Sequence, residues 1–231
     1  PKRTFPDFRD FRTGPYVFDQ IKLNWLIVTN FDEKTKCNVL VGHGTTCEIE
    51  WDGTIGGLPS HGWTGATISC YKNNSQKTKP NTFVGLLIHV SKNYRDKKIS
   101  GLIVEEMRKI SIKNKYLLIM PLRPPMRYEK EFCSMPFNDF CELKREDGLP
   151  MDLWLRQHQK LGAKRLKICS TSHQHKMPIS SFYNLFGKHK MYKTRNYIVN
   201  ILGGWHNVYV DVEIDSVVIN EGCVWVQHET I

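Results

Sequence analysis

The sequence predicts an α/β fold, a sheet flanked by helices, in one domain. Three neighbouring stretches carry this reading. Thr82 to Val90 (TFVGLLIHV) is a continuous apolar run of strand length. Ile99 to Ile112 sets apolar residues at Ile99, Leu102, Ile103, Met107 and Ile110, close to helical spacing. Tyr116 to Leu122 (YLLIMPL) is a second apolar run, closed by Arg123-Pro124-Pro125. A strand, a helix and a strand in that order make the two strands parallel neighbours, because such crossovers are right-handed.

The remaining elements follow in chain order. Residues 1 to 30 mix aromatic and charged side chains and end in the apolar stretch Trp25 to Val28. Cys37 to Val41 reads as a strand, and the alternation in Thr46 to Trp51 as a further strand segment. A Gly/Pro-rich stretch then runs from Asp52 to Trp63. So long an irregular segment is more often functional than accidental. Phe137 to Leu143 reads as a short helix and Asp147-Gly148-Leu149-Pro150 as a turn. Met151 to Leu161 reads as a helix ended by Gly162, followed by a strand at Arg165 to Cys169. Strands are expected near Asn196 to Leu202, Val208 to Ile214 and Gly222 to Gln227.

The chain has 231 residues, 40% hydrophobic and 24% charged, enough for a sizeable core. It is read as a single domain over 1–231, cut from a longer polypeptide, since residue 1 is Pro. No apolar run approaches the roughly 18 residues of a membrane span. No secretory signal follows Pro1-Lys2-Arg3. The seven cysteines are odd in number with no C-x-x-C spacing, so a cytoplasmic, reducing compartment is expected, without a zinc knuckle. His173 and His175 form the one close histidine pair. They are read as part of an exposed Ser/Thr-rich loop, and no metal is expected. The net charge of +10 implies acidic partners. Nucleic acid is disfavoured because the cations are dispersed and no zinc-finger, RNP or helix-turn-helix pattern appears. CoA phosphates or an acidic carrier protein suit the charge.

A loop that leads from a buried strand into a helix exposes unpaired N–H groups at the helix start, and these attract phosphate. Here that loop carries Arg95, Lys97 and Lys98. The run Arg95-Asp96-Lys97-Lys98-Ile99-Ser100-Gly101 resembles the acyl-CoA motif of the GNAT acyltransferases, Arg/Gln-x-x-Gly-x-Gly/Ala. Arg95 matches its first position, while Lys98 and Ser100 stand where the family usually has glycine. The resemblance implies a mixed central sheet with a splayed cleft that holds the pantetheine arm of coenzyme A. It assigns pantetheine contacts to Ile88 and Val90, and pyrophosphate contacts to Arg95, Lys97, Lys98, Ile99, Ser100 and Gly101.

A narrower resemblance covers about residues 45 to 230. Trp51-Asp52-Gly53-Thr54, Leu58-Pro59, Gly62-Trp63, Arg123-Pro124, the run from Asp147 to Ala163 and Gly222 to His228 resemble the GNAT-like loading domains of modular polyketide synthases. That likeness implies decarboxylation of a malonyl- or methylmalonyl-type thioester to give a starter unit on an acyl carrier protein. Acyl transfer from CoA to the carrier is also implied. Such chemistry needs donors at the thioester oxygen and an acid for the alpha carbon. His158 matches the family histidine, and imidazole titrates in the right range. Arg123 is the candidate for binding the substrate carboxylate. Trp63, Trp154 and Trp225 are candidates for lining the acyl tunnel. Pro125 stands where the family has a threonine, and a proline donates no hydrogen bond. An ordinary acyl-CoA-dependent N- or O-acetyltransferase, and a degenerate module without catalysis, remain open beside this reading.

Overall fold

In a computed structural model, which describes residues 21–230, the two central apolar runs are parallel neighbours in one eight-stranded sheet. They are β3 (Thr82–Val90) and β4 (Leu117–Leu122), joined by the helix α2 (Ile99–Asn114), as the sequence predicts. On the far side of β3 lie β2 (Cys37–Ile49) and the edge strand β1 (Leu23–Asp32), both antiparallel. On the far side of β4 lies β8 (Ser216–His228), then β7 (Gly204–Asp211) and β6 (Arg195–Ile201). The strand β5 (Lys164–Met177) pairs with β8 along nearly its whole length.

Helices cover both faces. α2, α3 (Phe137–Glu142) and α4 (Leu153–Lys160) pack on one face, where Phe83, Ile103, Met107, Leu118, Met120, Leu155, Val224 and Val226 form the main core. α1 (Gly62–Gln76) covers the opposite face, with Ala66 and Cys70 against Val84, Ile119, Cys223 and Trp225. α5 (Ile179–Phe186) closes a third cluster, in which Phe182 meets Val208, Val210, Val217 and Ile219. Adjacent residues on β8 therefore serve different cores, the period-two signature of a strand buried on both faces.

Several expectations are corrected. The two predicted pieces at Cys37–Val41 and Thr46–Trp51 are one strand. The Gly42-His43-Gly44 segment hides it, because glycine removes the apolar alternation. Those glycines let α2 sit on the sheet: a Cβ on Gly44 would lie 2.5 Å from Ile103 Cγ2 and Met107 Cε. α1 begins inside the stretch read as irregular. Its buried residues are Gly62, Ala66, Thr67 and Cys70, too small to write an apolar stripe. His173 and His175 lie in β5, not in an exposed loop, and His175 is buried. A register shift between Cys169 and His173 interrupts the pattern that would have shown this. The seven cysteines are free thiols. Among the described residues no helix is long and apolar enough to cross a membrane, and no group of three or more His, Cys, Asp or Glu is placed to hold a metal ion.

Candidate active site

β3 and β4 share only three residue pairs, Thr82 with Leu117, Phe83 with Leu118 and Val84 with Ile119. Beyond them β3 stays bonded to β2 as far as Val90, and β4 stays bonded to β8 as far as Leu122. The two parallel strands therefore diverge towards their C-terminal ends. The Met120 side chain sits at the branch point, where a Cβ on Gly85 would come within 2.9 Å of it.

β3 also carries a bulge. Leu87 pairs with Thr45 and Gly85 with Thr46, so Leu86 is an extra residue. The bulge reverses the alternation: Phe83 faces α2, Val84 and Leu86 face α1, and Ile88 and Val90 face α2 again. Without it, Ile88 and Val90 would point to the other face. The Trp63 indole N–H donates to the Leu86 carbonyl at 3.0 Å and holds the bulge from the α1 side.

From Val90 the chain enters a 3₁₀ turn, Lys92–Lys97, and α2 begins at Ile99 with no side-chain cap. Lys98 has φ +56° and ψ 19°, the left-handed conformation. This is the position where the resembled motif has glycine, and the backbone keeps the glycine conformation although the residue is lysine. A non-glycine residue there costs about 1–2 kcal/mol, so the turn is held by its surroundings. Arg95, Lys97 and Lys98 are exposed. Lys97 Nζ lies 4.8 Å over the Tyr94 ring. Ile99 is buried in the main core and anchors the helix start. Ser100 Oγ accepts from Gln157 Nε2 at 2.9 Å. A Cβ on Gly101 would meet nothing nearer than Gln157 Nε2 at 3.9 Å, so the surface above Gly101 is open. The motif residues thus gather at one end of α2, beside α4.

α4 is set by its first residue. Asp152 Oδ1 accepts from the Trp154 and Leu155 amides at 2.9 and 3.0 Å, capping the helix. Its Oδ2 accepts from the Met126 amide at 2.9 Å, tying α4 to the Pro125–Tyr128 turn. At the other end of α4, His158 is fully buried. Its Nδ1 lies 2.9 Å from His228 Nε2, and the Trp154 ring meets it edge-on at 4.3 Å. Its Nε2 is buried with no protein partner, a group that asks for an explanation. Burial, with His228 adding to it, pulls the His158 pKa down to about 3. His228 is pulled to about 4, again by burial first and then by Arg108. Both rings are neutral near pH 7, so His158 offers a hydrogen bond or a lone pair and is not an imidazolium acid.

His228 joins the candidate site only in the structure, through its contact with His158. The signal was there: Val224, Val226 and His228 alternate along β8, which puts the histidine on the face where α4 packs.

Arg123 is already engaged. It donates to Glu221 through Nε at 2.9 Å and Nη2 at 2.6 Å, and its guanidinium stacks 3.7 Å above the Tyr128 ring. Burial works to raise the Glu221 pKa, and the Arg123 charge overcomes this and leaves it below the usual range. Pro125 opens the 3₁₀ turn and offers neither N–H nor hydroxyl. The three tryptophans do not come together. Trp154 stands beside His158 on the α2 face, Trp63 belongs to α1, and Trp225 is fully buried in the core under α1.

Among solved structures the chain is similar to the loading GNATL domain of CurA from Lyngbya majuscula, at 14% identity and a TM-score of 0.47. That match covers 83% of this chain and 71% of the other. No protein-family model matches the chain, and no curated protein matches it. The strand order and the divergence of β3 and β4 are properties of this chain's own sheet.

Proposed function

We propose that this domain binds the pantetheine arm of an acyl thioester between β3 and β4 and supplies an acyl starter unit to an acyl carrier protein. The observation that carries the reading is the divergence of β3 and β4 after three residue pairs, next to an uncapped helix start flanked by Arg95, Lys97 and Lys98. The facing strand edges suit the amide groups of pantetheine, which add hydrogen bonds as an extra strand does. The helix N-terminus and its cations suit the phosphates of coenzyme A or of a phosphopantetheine prosthetic group. The open surface at Gly101 leaves room for a close approach.

For a malonyl-type thioester the reaction is loss of carbon dioxide, and His158 is the residue proposed to act. In this reading His228 Nε2–H donates to His158 Nδ1, which leaves His158 Nε2–H to donate to the thioester oxygen. A neutral imidazole serves as such a donor where burial keeps it uncharged. The alpha carbon takes its proton from water, since neither ring is an acid of suitable strength. A second reading is acyl transfer to the carrier without loss of carbon dioxide. The commitment of Arg123 to Glu221 favours it, because the cation expected to receive the substrate carboxylate is already paired.

The test is intact-mass analysis of a carrier protein, either loaded with malonyl or methylmalonyl groups or bearing a free phosphopantetheine thiol with acetyl-CoA present, incubated with the domain and with His158→Ala. Conversion of malonyl- to acetyl-carrier that disappears in the variant supports decarboxylation. Acetyl transfer from acetyl-CoA to the free-thiol carrier, with the malonyl-loaded sample unchanged, supports the second reading. No change with any thioester rejects both.

A further inference from the structure

Along one edge, β8 pairs with β4 through Val224–His228 and with β7 through Ser216–Ile219. The turn Pro125–Tyr128 and the start of α3 close over the stretch between them. A pocket of about 180 Å³ lies there. We propose that it is a binding site for a small uncharged polyhydroxylated molecule of monosaccharide size, separate from the thioester site.

The lining is built from amides and aromatic rings. Trp205, Asn207 and Tyr209 alternate along β7 and so share one face. Asn196 and Asn220 reach the same space from β6 and β8. The Asn220 oxygen accepts from Gln174 Nε2 at 2.8 Å, which fixes the orientation of that amide. One polar atom on that face, Asn207 Oδ1, is buried without a partner. A buried polar atom left unmet is costly, and one on the face that lines the pocket points to a ligand that meets it.

The charges select a neutral ligand. Among the described residues no carboxylate lines the pocket, so a cation finds no partner there. The lining guanidinium of Arg127 is spent on the carbonyls of Phe132 and Met135. Lys130 lies over the Trp205 ring, 5.3 Å from its centre, and is not part of the lining. His206 faces the Tyr128 ring at 4.7 Å, and burial pulls its pKa to about 4, so it is neutral as well. Hydroxyl groups both donate and accept, and so satisfy the oxygen and the N–H groups of the lining amides together. The C–H face of a sugar ring packs on an indole or phenol ring, as the positions of Trp205 and Tyr209 allow.

The test is a ¹H–¹⁵N NMR titration of the full chain with D-glucose and N-acetyl-D-glucosamine, with adenosine and inorganic phosphate as comparators. The expected result is saturable shifts of the Trp205 indole N–H and of the Asn196, Asn207 and Asn220 side-chain amides with a sugar. Affinity should be millimolar, about what one small site supports. Trp205→Ala and the nearly isosteric Asn207→Asp should each weaken the sugar by about fivefold or more, while CoA-induced shifts at α2 persist. The proposal is overturned by the absence of sugar shifts up to tens of millimolar. It is equally overturned by a response to phosphate or adenosine alone, or by sugar shifts that both variants leave unchanged.

Discussion

Arg95→Ala, Lys97→Ala and Lys98→Ala combined should weaken coenzyme A binding by about 10- to 100-fold and leave pantetheine binding nearly unchanged. The three side chains are exposed and gathered at the start of α2. An exposed charge pair is worth about 0.5–1 kcal/mol, so three sum to about 1.5–3 kcal/mol, and each 1.4 kcal/mol is tenfold in affinity. Lys97 is held over Tyr94 and loses little freedom on binding, which places its share at the upper end. Isothermal titration with coenzyme A and with pantetheine separates the phosphate contribution from that of the arm. The difference should shrink in high salt, because the charges are exposed. An equal loss for both ligands would refute the reasoning, since it would mean that the loop shapes the cleft and does not meet phosphate.

Further outcomes are expected. Gly44→Ala should cost about 1–3 kcal/mol in chemical denaturation, because its Cβ would lie 2.5 Å from Ile103 and Met107; an unchanged midpoint would contradict that packing. Arg123→Ala should destabilise by about 1–3 kcal/mol, because it strands the Glu221 carboxylate while the arginine itself is partly exposed; pairing it with Glu221→Gln should recover most of the loss. His158, His175, His206 and His228 are all held below their unfolded value, with folded pKa values of about 3, 4, 4 and 4. Above pH 6.5 neither state binds these protons and the stability is fully present. As pH falls from about 6.5 towards 4 the unfolded chain takes them up first, so stability drops across that window; denaturation curves that coincide at pH 7.5 and 5 would contradict this.

The central strand–helix–strand unit was legible because each part has one clear period and no competing role. The helix α4 was legible for the same reason, and Gly162 marks its end at φ +84°. Elements were missed where small residues replace apolar ones, as in α1 and in the Gly42-His43-Gly44 part of β2. β5 was cut short because its register slips before His173. The basic loop is legible from its charges and its motif through a resemblance, but only the backbone shows that Lys98 keeps the left-handed conformation of a glycine. His158 was found through a resemblance. Its partner His228 lies 70 residues away, and their contact depends on β8 running beneath α4. The engagement of Arg123 by Glu221 spans 98 residues and was equally out of reach.

The central claim is that an acyl thioester lies between β3 and β4. Amide hydrogen exchange with and without coenzyme A tests it most directly. The account expects new protection at Leu86–Val90 of β3 and at the start of α2, with β1, β6 and β7 unchanged. Coenzyme A that binds without slowing exchange at Leu86–Val90 would contradict it.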